Sequence, residues 1–213
     1  MNLEIRRARP DDSLEAVPLI ISSGPEAFDY IFGGYNVGDP ADFVRFAFEH
    51  GEGVLGFRNH FVGVIDGKVI ATVAAYTQAE AKSHTLPGAR QIIRFFGVLS
   101  GISVMLKGLK IESLMVPPKE PLLYVAHFGV APELRGQGIG TKMLAFLMDE
   151  AKALDQVGIA LDVADNNPNA QRLYERTGMK VSSSTQKELE NPQAKIPLLH
   201  RMEMKFVETP VKA

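Results

Sequence analysis

The residues with the clearest chemical purpose are Arg135-Gly136-Gln137-Gly138-Ile139-Gly140. The apolar stretch Leu122 to Val130 leads into this run. An amphipathic pattern follows it, with Ile139, Met143, Leu144, Leu147, Ala151 and Leu154 on one helical face. The glycines remove side chains from a backbone about to enter a helix. The first N–H groups of such a helix have no intrahelical partner, and its dipole adds positive potential. The chemistry is anion binding, of a kind suited to a pyrophosphate. Arg135 can supply a cation or brace the turn. A P-loop needs lysine directly after its last glycine, whereas Lys142 follows Thr141. A dinucleotide fingerprint needs Gly-x-Gly-x-x-Gly, and the spacing here is Gly136-x-Gly138-x-Gly140. The ribose-binding acid of that motif has only Asp155 or Asp162 to fill its place, at unsuitable positions.

A second group lies downstream, in Asn167-Pro168-Asn169-Ala170-Gln171-Arg172-Leu173-Tyr174-Glu175-Arg176-Thr177-Gly178-Met179. In these two segments the chain resembles the Gcn5-related N-acetyltransferase family. The coenzyme A motif of that family is Gln/Arg-x-x-Gly-x-Gly/Ala after a strand, and Arg135–Gly140 matches it, with Val130-x-Pro132 as the lead-in. The family element Asn-x-x-Ala-x-x-Leu-Tyr-Glu-x-x-Gly-Phe is matched from Asn167 to Gly178, with Met179 in place of Phe. The resemblance is strong over residues 122–182 and weaker over 1–78.

The resemblance implies direct transfer of the acetyl group of acetyl-CoA to a primary amine, on a small molecule or a protein, within a ternary complex. The chain has no cysteine, so a cysteinyl acetyl-enzyme is excluded. By the same likeness, backbone N–H groups from Gln137 through Gly138, Ile139, Gly140 and Thr141 hold the pyrophosphate, beside Arg135 and Gly136. The strand edge Phe128-Gly129-Val130 pairs with the pantetheine amides, and its N–H groups can polarise the thioester carbonyl. A glycine within a strand often marks a bulge or a close approach, which suits Gly129. Asn167 matches the family asparagine that contacts the cofactor. Tyr174 matches the tyrosine that protonates the leaving sulfur, and a phenol with pKa of about 10 is a proton donor at neutral pH.

The base is less constrained. His127 has a suitable intrinsic pKa. In an alternating strand, however, His127 and Phe128 point to opposite faces, and only one lines the cleft. Glu26, Asp29, Tyr30 or a water chain are the alternatives. Ser22-Ser23-Gly24-Pro25-Glu26-Ala27-Phe28-Asp29-Tyr30 is a candidate acceptor wall, with Glu26, Phe28, Asp29 and Tyr30 as the substrate-binding residues expected there. A non-catalytic acyl-CoA-binding sensor or regulatory module is the competing reading. The histidines at 50, 60, 84 and 200 show no metal-ligand spacing, so no metal is expected.

These residues need a scaffold. A strand over Leu3 to Ala8 precedes a helix from about Leu14 to Ser22, which Gly24-Pro25 interrupts. Helical spacing resumes from Glu26 to Phe32 and again after Asp39-Pro40. Asp66-Gly67 joins strands Asn59–Ile65 and Lys68–Tyr76 as a hairpin. A helical insertion follows at about 79–121, with its helix near Ala89 to Leu109 and a connector at Pro117-Pro118. Later strands are expected at Leu122–Val130, Ile159–Val163, Lys180–Ser183 and Leu198–Phe206, with a short helix from Asn169 to Glu175. The fold class is α/β (α+β). The resemblance implies a mixed, mostly antiparallel central sheet of about six to seven strands with helices on both faces, splayed between two central strands. It is read as one acetyltransferase domain over 1–213.

Composition bounds the rest. A chain of 213 residues with 46% hydrophobic and 23% charged residues can bury a sizeable core. Its net charge of −2 gives no overall attraction for nucleic acid or anionic membrane, so neither is expected as a partner. The uncharged run Phe95 to Leu106, bounded by Arg94 and Lys107, is too short to span a bilayer. The residues Met1 to Arg7 lack the apolar core of a signal peptide, and the expected location is cytoplasmic. A monomer or homodimer is expected.

Overall fold

The computed structural model describes residues 2–114 and 121–206. The expected Pro117-Pro118 connector lies outside them. In chain order the elements are β1 (Glu4–Arg7), α1 (Ser13–Ser22), α2 (Pro25–Phe32), α3 (Pro40–His50), β2 (His60–Ile65), β3 (Lys68–Tyr76), α4 (Gln78–Glu112), β4 (Leu122–Val130), α5 (Ile139–Ala153), β5 (Gly158–Ala164), α6 (Pro168–Arg176), β6 (Lys180–Ser184), β7 (Leu189–Glu190), β8 (Lys195–Ile196) and β9 (Leu199–Lys205).

Seven strands form one sheet in the order β1-β2-β3-β4-β5-β9-β6, and β7 pairs with β8 as a separate ribbon. Every neighbour pair in the large sheet is antiparallel except β4 and β5. The β2–β3 turn has φ of 50° at Asp66 and 78° at Gly67, the positive pair that a two-residue hairpin of this hand requires. Adjacent residues of a strand face opposite sides. His60 meets Phe48 of α3, whereas Phe61 meets Phe146 of α5, so helices cover both faces. The mixed sheet matches the expected fold class.

Two features set up the site. The parallel pairing of β4 with β5 covers only Leu122–Tyr124 against Gly158–Ala160, after which the strands diverge. From Val125 to Val130, β4 therefore keeps β3 on one edge and leaves the other without a strand partner. The register with β3 also shifts between Thr72 and Ala74, and His127 adopts φ 52° there. This β-bulge inserts an extra residue and re-aims the side chains that follow it.

The insertion helix differs from expectation. It begins at Gln78, not near Ala89, because Thr77 and Glu80 form a reciprocal capping box. It runs through Pro87, and Gly97, at φ 76° and ψ 173°, divides it into two helical segments, the second turning back so that a Cβ at Gly101 would meet Ile93 of the first.

Candidate active site

Strand β4, the turn after it, and helices α5 and α6 enclose a cleft of about 870 Å³, within the usual range for a ligand site. Its floor is the glycine turn. Gly136 and Gly138 hold φ of 78° and 81°, and a Cβ at either would meet nothing within 4 Å. Both are glycine because of backbone conformation, not crowding. Gly140 is the reverse case: a Cβ there would come within 2.8 Å of Leu173 Cδ2, so its bareness lets α6 pack on α5. Gly138 caps α5 with no side-chain hydrogen bond, and the first turn contains no acid. The N–H groups of that turn are thus open to an anion at the positive end of the dipole.

Arg135 donates Nε–H to the carbonyl of Val130 at 3.0 Å, which fixes the turn to the end of β4. The side chain of Gln137 turns away to the carbonyl of Glu133 and does not line the cleft. Phe128, Gly129, Val130, Arg135, Gly136, Gly138, Ile139, Gly140, Thr141, Asn167 and Tyr174 all line it. The carboxamide oxygen of Asn167 accepts from the N–H of Ala170 and caps α6. The expected closeness at Gly129 is to protein: a Cβ would collide with the carbonyl oxygen of Leu19 in α1.

Tyr174 is 7% exposed, with its ring centroid 6.4 Å from that of Phe128. Burial raises its phenol above the ordinary value and keeps it protonated. Among the described residues its hydroxyl has no hydrogen-bond partner, which leaves the proton available to a ligand in the cleft.

His127 and Phe128 do face apart. Phe128 enters the cleft, whereas the His127 ring packs 5.8 Å from Phe28 and lies parallel to His60 at 5.4 Å, outside the cleft lining. Desolvation and the neighbouring His60 lower its pKa to about 3. Desolvation, partly opposed by the Gly56 carbonyl, lowers that of His60 to about 4. Both rings are neutral at pH 7.

None of the four expected acceptor-wall residues lines the cleft. Phe28 belongs to the core and packs on Phe32. Tyr30 joins Ile111 and Ile196 in a satellite cluster, and its carbonyl accepts from Asn191. Asp29 is exposed and Glu26 half-buried on α2. The same segment reaches the cleft through Ser22 and Ser23 at the end of α1 instead.

The structure adds residues that spacing did not single out. Arg172 and Arg176, four apart on α6, line the outer cleft with Asn169. Asp162, passed over as a ribose ligand, lies in the wall where β4 and β5 part. It accepts 2.8 and 2.9 Å hydrogen bonds from Arg201 and a 2.6 Å bond from the Tyr124 hydroxyl. Their place is set by strand pairing across the sheet, which local sequence does not encode. Among the described residues no group of three or more metal-ligating side chains occurs.

Comparison with known proteins agrees with this geometry. The model of the acetyltransferase (GNAT) family matches residues 27–179. A curated relative, GCN5-related N-acetyltransferase 6, chloroplastic, of Arabidopsis thaliana, is 38% identical over 58 residues, which is 27% of this chain and only 20% of that protein. An N-acetyltransferase from Staphylococcus aureus Mu50 superposes with TM-score 0.64 at 17% identity, covering 94% of this chain and all of that one. A polyamine N-acetyltransferase of Drosophila melanogaster gives 0.57 at 16% identity, with 96% and 100% covered. An agmatine N-acetyltransferase gives 0.59 at 16%, with 97% and 100% covered. At such identities the superpositions establish the fold, while the family match covers most of the chain: this protein is a member of the GNAT acetyltransferase family.

Proposed function

We propose that the protein transfers the acetyl group of acetyl-CoA directly to a primary amine. The observation that carries this reading is the placing of Tyr174, protonated and without a protein partner, in the same cleft as the uncapped N-terminus of α5. Acetyl-CoA, when bound, supplies the thioester. The N–H groups at Ile139, Gly140 and Thr141 would hold its pyrophosphate, and the free edge of β4 would pair with the amides of its pantetheine arm. The acceptor, as the free amine, would attack the carbonyl carbon, the C–S bond would break, Tyr174 would give its proton to the departing sulfur, and the proton released from the nitrogen would leave through water and so restore the phenol. His127, with a pKa of about 3 and its ring outside the cleft, is a poor acceptor for an ammonium proton, so it is not assigned the base.

The test is turnover, followed as release of free coenzyme A thiol over a panel of amines that starts with agmatine and polyamines, the acceptors named for two structural neighbours. Tyr174→Phe should lower kcat by 10²-fold or more, the usual scale for a lost general acid, with little change in acetyl-CoA Kd. Wild-type kcat in that variant would remove Tyr174 from the reaction. Tight acetyl-CoA binding with no turnover on any amine would favour a non-catalytic binding module.

A further inference from the structure

Beyond Gly97, the second segment of α4 carries an apolar stripe that the domain leaves uncovered. Val98, Leu99, Ile102, Leu106 and Leu109 are 62%, 87%, 46%, 56% and 58% exposed. At 3.6 residues per turn the five fall within about 100° of one another. Val104 and Ile111, on the other side of the segment, are buried. The first segment packs at Gly101, about 110° round the helix from the midline of the stripe, so it leaves the stripe open. Lys107, the sole charged residue between 98 and 109, is also turned away: its ammonium reaches the Gly33 carbonyl at 3.4 Å and lies 4.6 Å from the Tyr35 ring centroid. The five exposures together equal about three whole aliphatic residues, roughly 600 Å² in one patch, which is the upper end for a monomer.

We propose that the stripe is covered by the same stripe of a second copy of this chain, in an antiparallel pair about a two-fold axis. Spacing chooses the occupant. Leu99, Ile102, Leu106 and Leu109 are separated by three, four and three residues, so the series reads the same in both directions. An axis at the level of residue 104 sets Leu99 against Leu109 of the second copy and Ile102 against its Leu106, and each contact occurs twice. The pair buries about 1,200 Å², the lower end for specific, stable interfaces. Charge does not oppose it. Lys110 lies beyond the stripe, about 18 Å along the axis from its counterpart, farther than a Debye length at physiological salt. A bilayer is a poorer occupant. The whole of α4 is long and apolar enough to cross one, but Gly97 divides it, and residues 98–112 fall short of the roughly 20 that a crossing requires. The stripe itself has neither a cation nor an aromatic ring to anchor it among headgroups. The pairing is independent of the acetyl-transfer reading and selects the homodimer from the two oligomeric states expected of the chain.

Sedimentation equilibrium of the full chain should give a dimer whose population falls on dilution. Leu99→Lys with Leu106→Lys, both at exposed positions, should raise the dimer Kd about 100-fold or more with circular dichroism unchanged, because each strands a charge in the seam. The register has its own readout, since the chain has no cysteine. Ile102→Cys mixed with Leu106→Cys should form an oxidised dimer about tenfold faster than either variant alone. Position 102 faces 106 across the axis, whereas like positions are offset beyond disulfide reach. A wild-type chain that stays monomeric at about 100 μM overturns the proposal. So does a dimer that the two lysines leave intact, or oxidation no faster in the mixture than in the single variants. Partitioning of a monomeric wild-type chain onto phosphatidylcholine vesicles also overturns it and assigns the stripe to a membrane.

Discussion

At the scale of single residues, the pair formed by buried His60 and half-buried His127 has a defined protonation pattern. His60 Nδ1 lies 2.9 Å from the Gly56 carbonyl, which only accepts, so this nitrogen carries the hydrogen. Its Nε2 is then an acceptor and receives Nδ1–H from His127 at 3.3 Å. A further proton on His60 Nε2 would remove the acceptor that joins the two rings. Since the folded pKa of His60 is about 4, against 6.5 unfolded, the unfolded chain binds more protons below pH 6.5. Its contribution to stability is complete above that pH and fades as pH falls towards 4. Between pH 7.5 and 5 the loss should be about 2 kcal/mol from His60 alone. Urea midpoints of the wild type and His60→Asn at the two pH values measure this. An equal drop in both proteins would show that the pair does not control acid sensitivity.

At the scale of elements, each glycine of the site has a different reason, and substitutions should separate them. Gly138→Ala forces a side chain into the left-handed region at an expense of about 1–2 kcal/mol, and it should also weaken acetyl-CoA by misdirecting the first N–H groups of α5. Gly140→Ala meets only the mobile end of Leu173 and should be mild. Gly129→Ala meets the backbone of α1 and should cost about 2 kcal/mol or more through overpacking. Denaturant midpoints that failed to rank Gly129→Ala below Gly140→Ala would contradict this account. On α6, Arg172, which donates to the Asn169 side chain, and Arg176 are exposed residues of the cleft lining that could meet a phosphate of a bound nucleotide. Arg172→Ala with Arg176→Ala should raise the Kd of coenzyme A about tenfold and that of dephospho-coenzyme A much less, as calorimetry would show. Most of these elements were legible in the sequence, because periodicity, Asp66-Gly67 and the glycine turn are local signals. The start of α4 is also written there, as Thr77-x-x-Glu80, although the polar first turns carry no apolar stripe to mark a helix. The ribbon of β7 and β8 has two residues per strand and no period to detect. Helical spacing does not say which face of α2 meets the core, so the inward packing of Phe28 and Tyr30 was not legible in the sequence.

At the scale of the whole molecule, the cleft exists because β5 leaves β4, and something must hold the closed end of that divergence. Backbone pairing stops at Tyr124 and Ala160. The next link across the gap is the Tyr124 hydroxyl to Asp162, and Asp162 is in turn gripped by Arg201 of β9, with both charged side chains under a tenth exposed. Three strands thus meet on one carboxylate where the sheet splits, and burial together with that charge raises the Tyr124 phenol, so it stays a donor. Asp162→Ala should cost about 3–5 kcal/mol, mostly because Arg201 would remain charged and buried without a partner. Asp162→Leu with Arg201→Met should recover much of that stability, since no charge is then stranded. If the clamp also sets the width of the cleft, the double variant should fold well yet bind acetyl-CoA more weakly, because an apolar pair cannot hold Tyr124 to β5. Tyr124→Phe provides the independent check: it removes one hydrogen bond, about 1 kcal/mol, without stranding a charge. A Kd raised in both variants despite recovered or near-native stability would tie cofactor affinity to the geometry of the split. An unchanged Kd in both would reduce the network to packing.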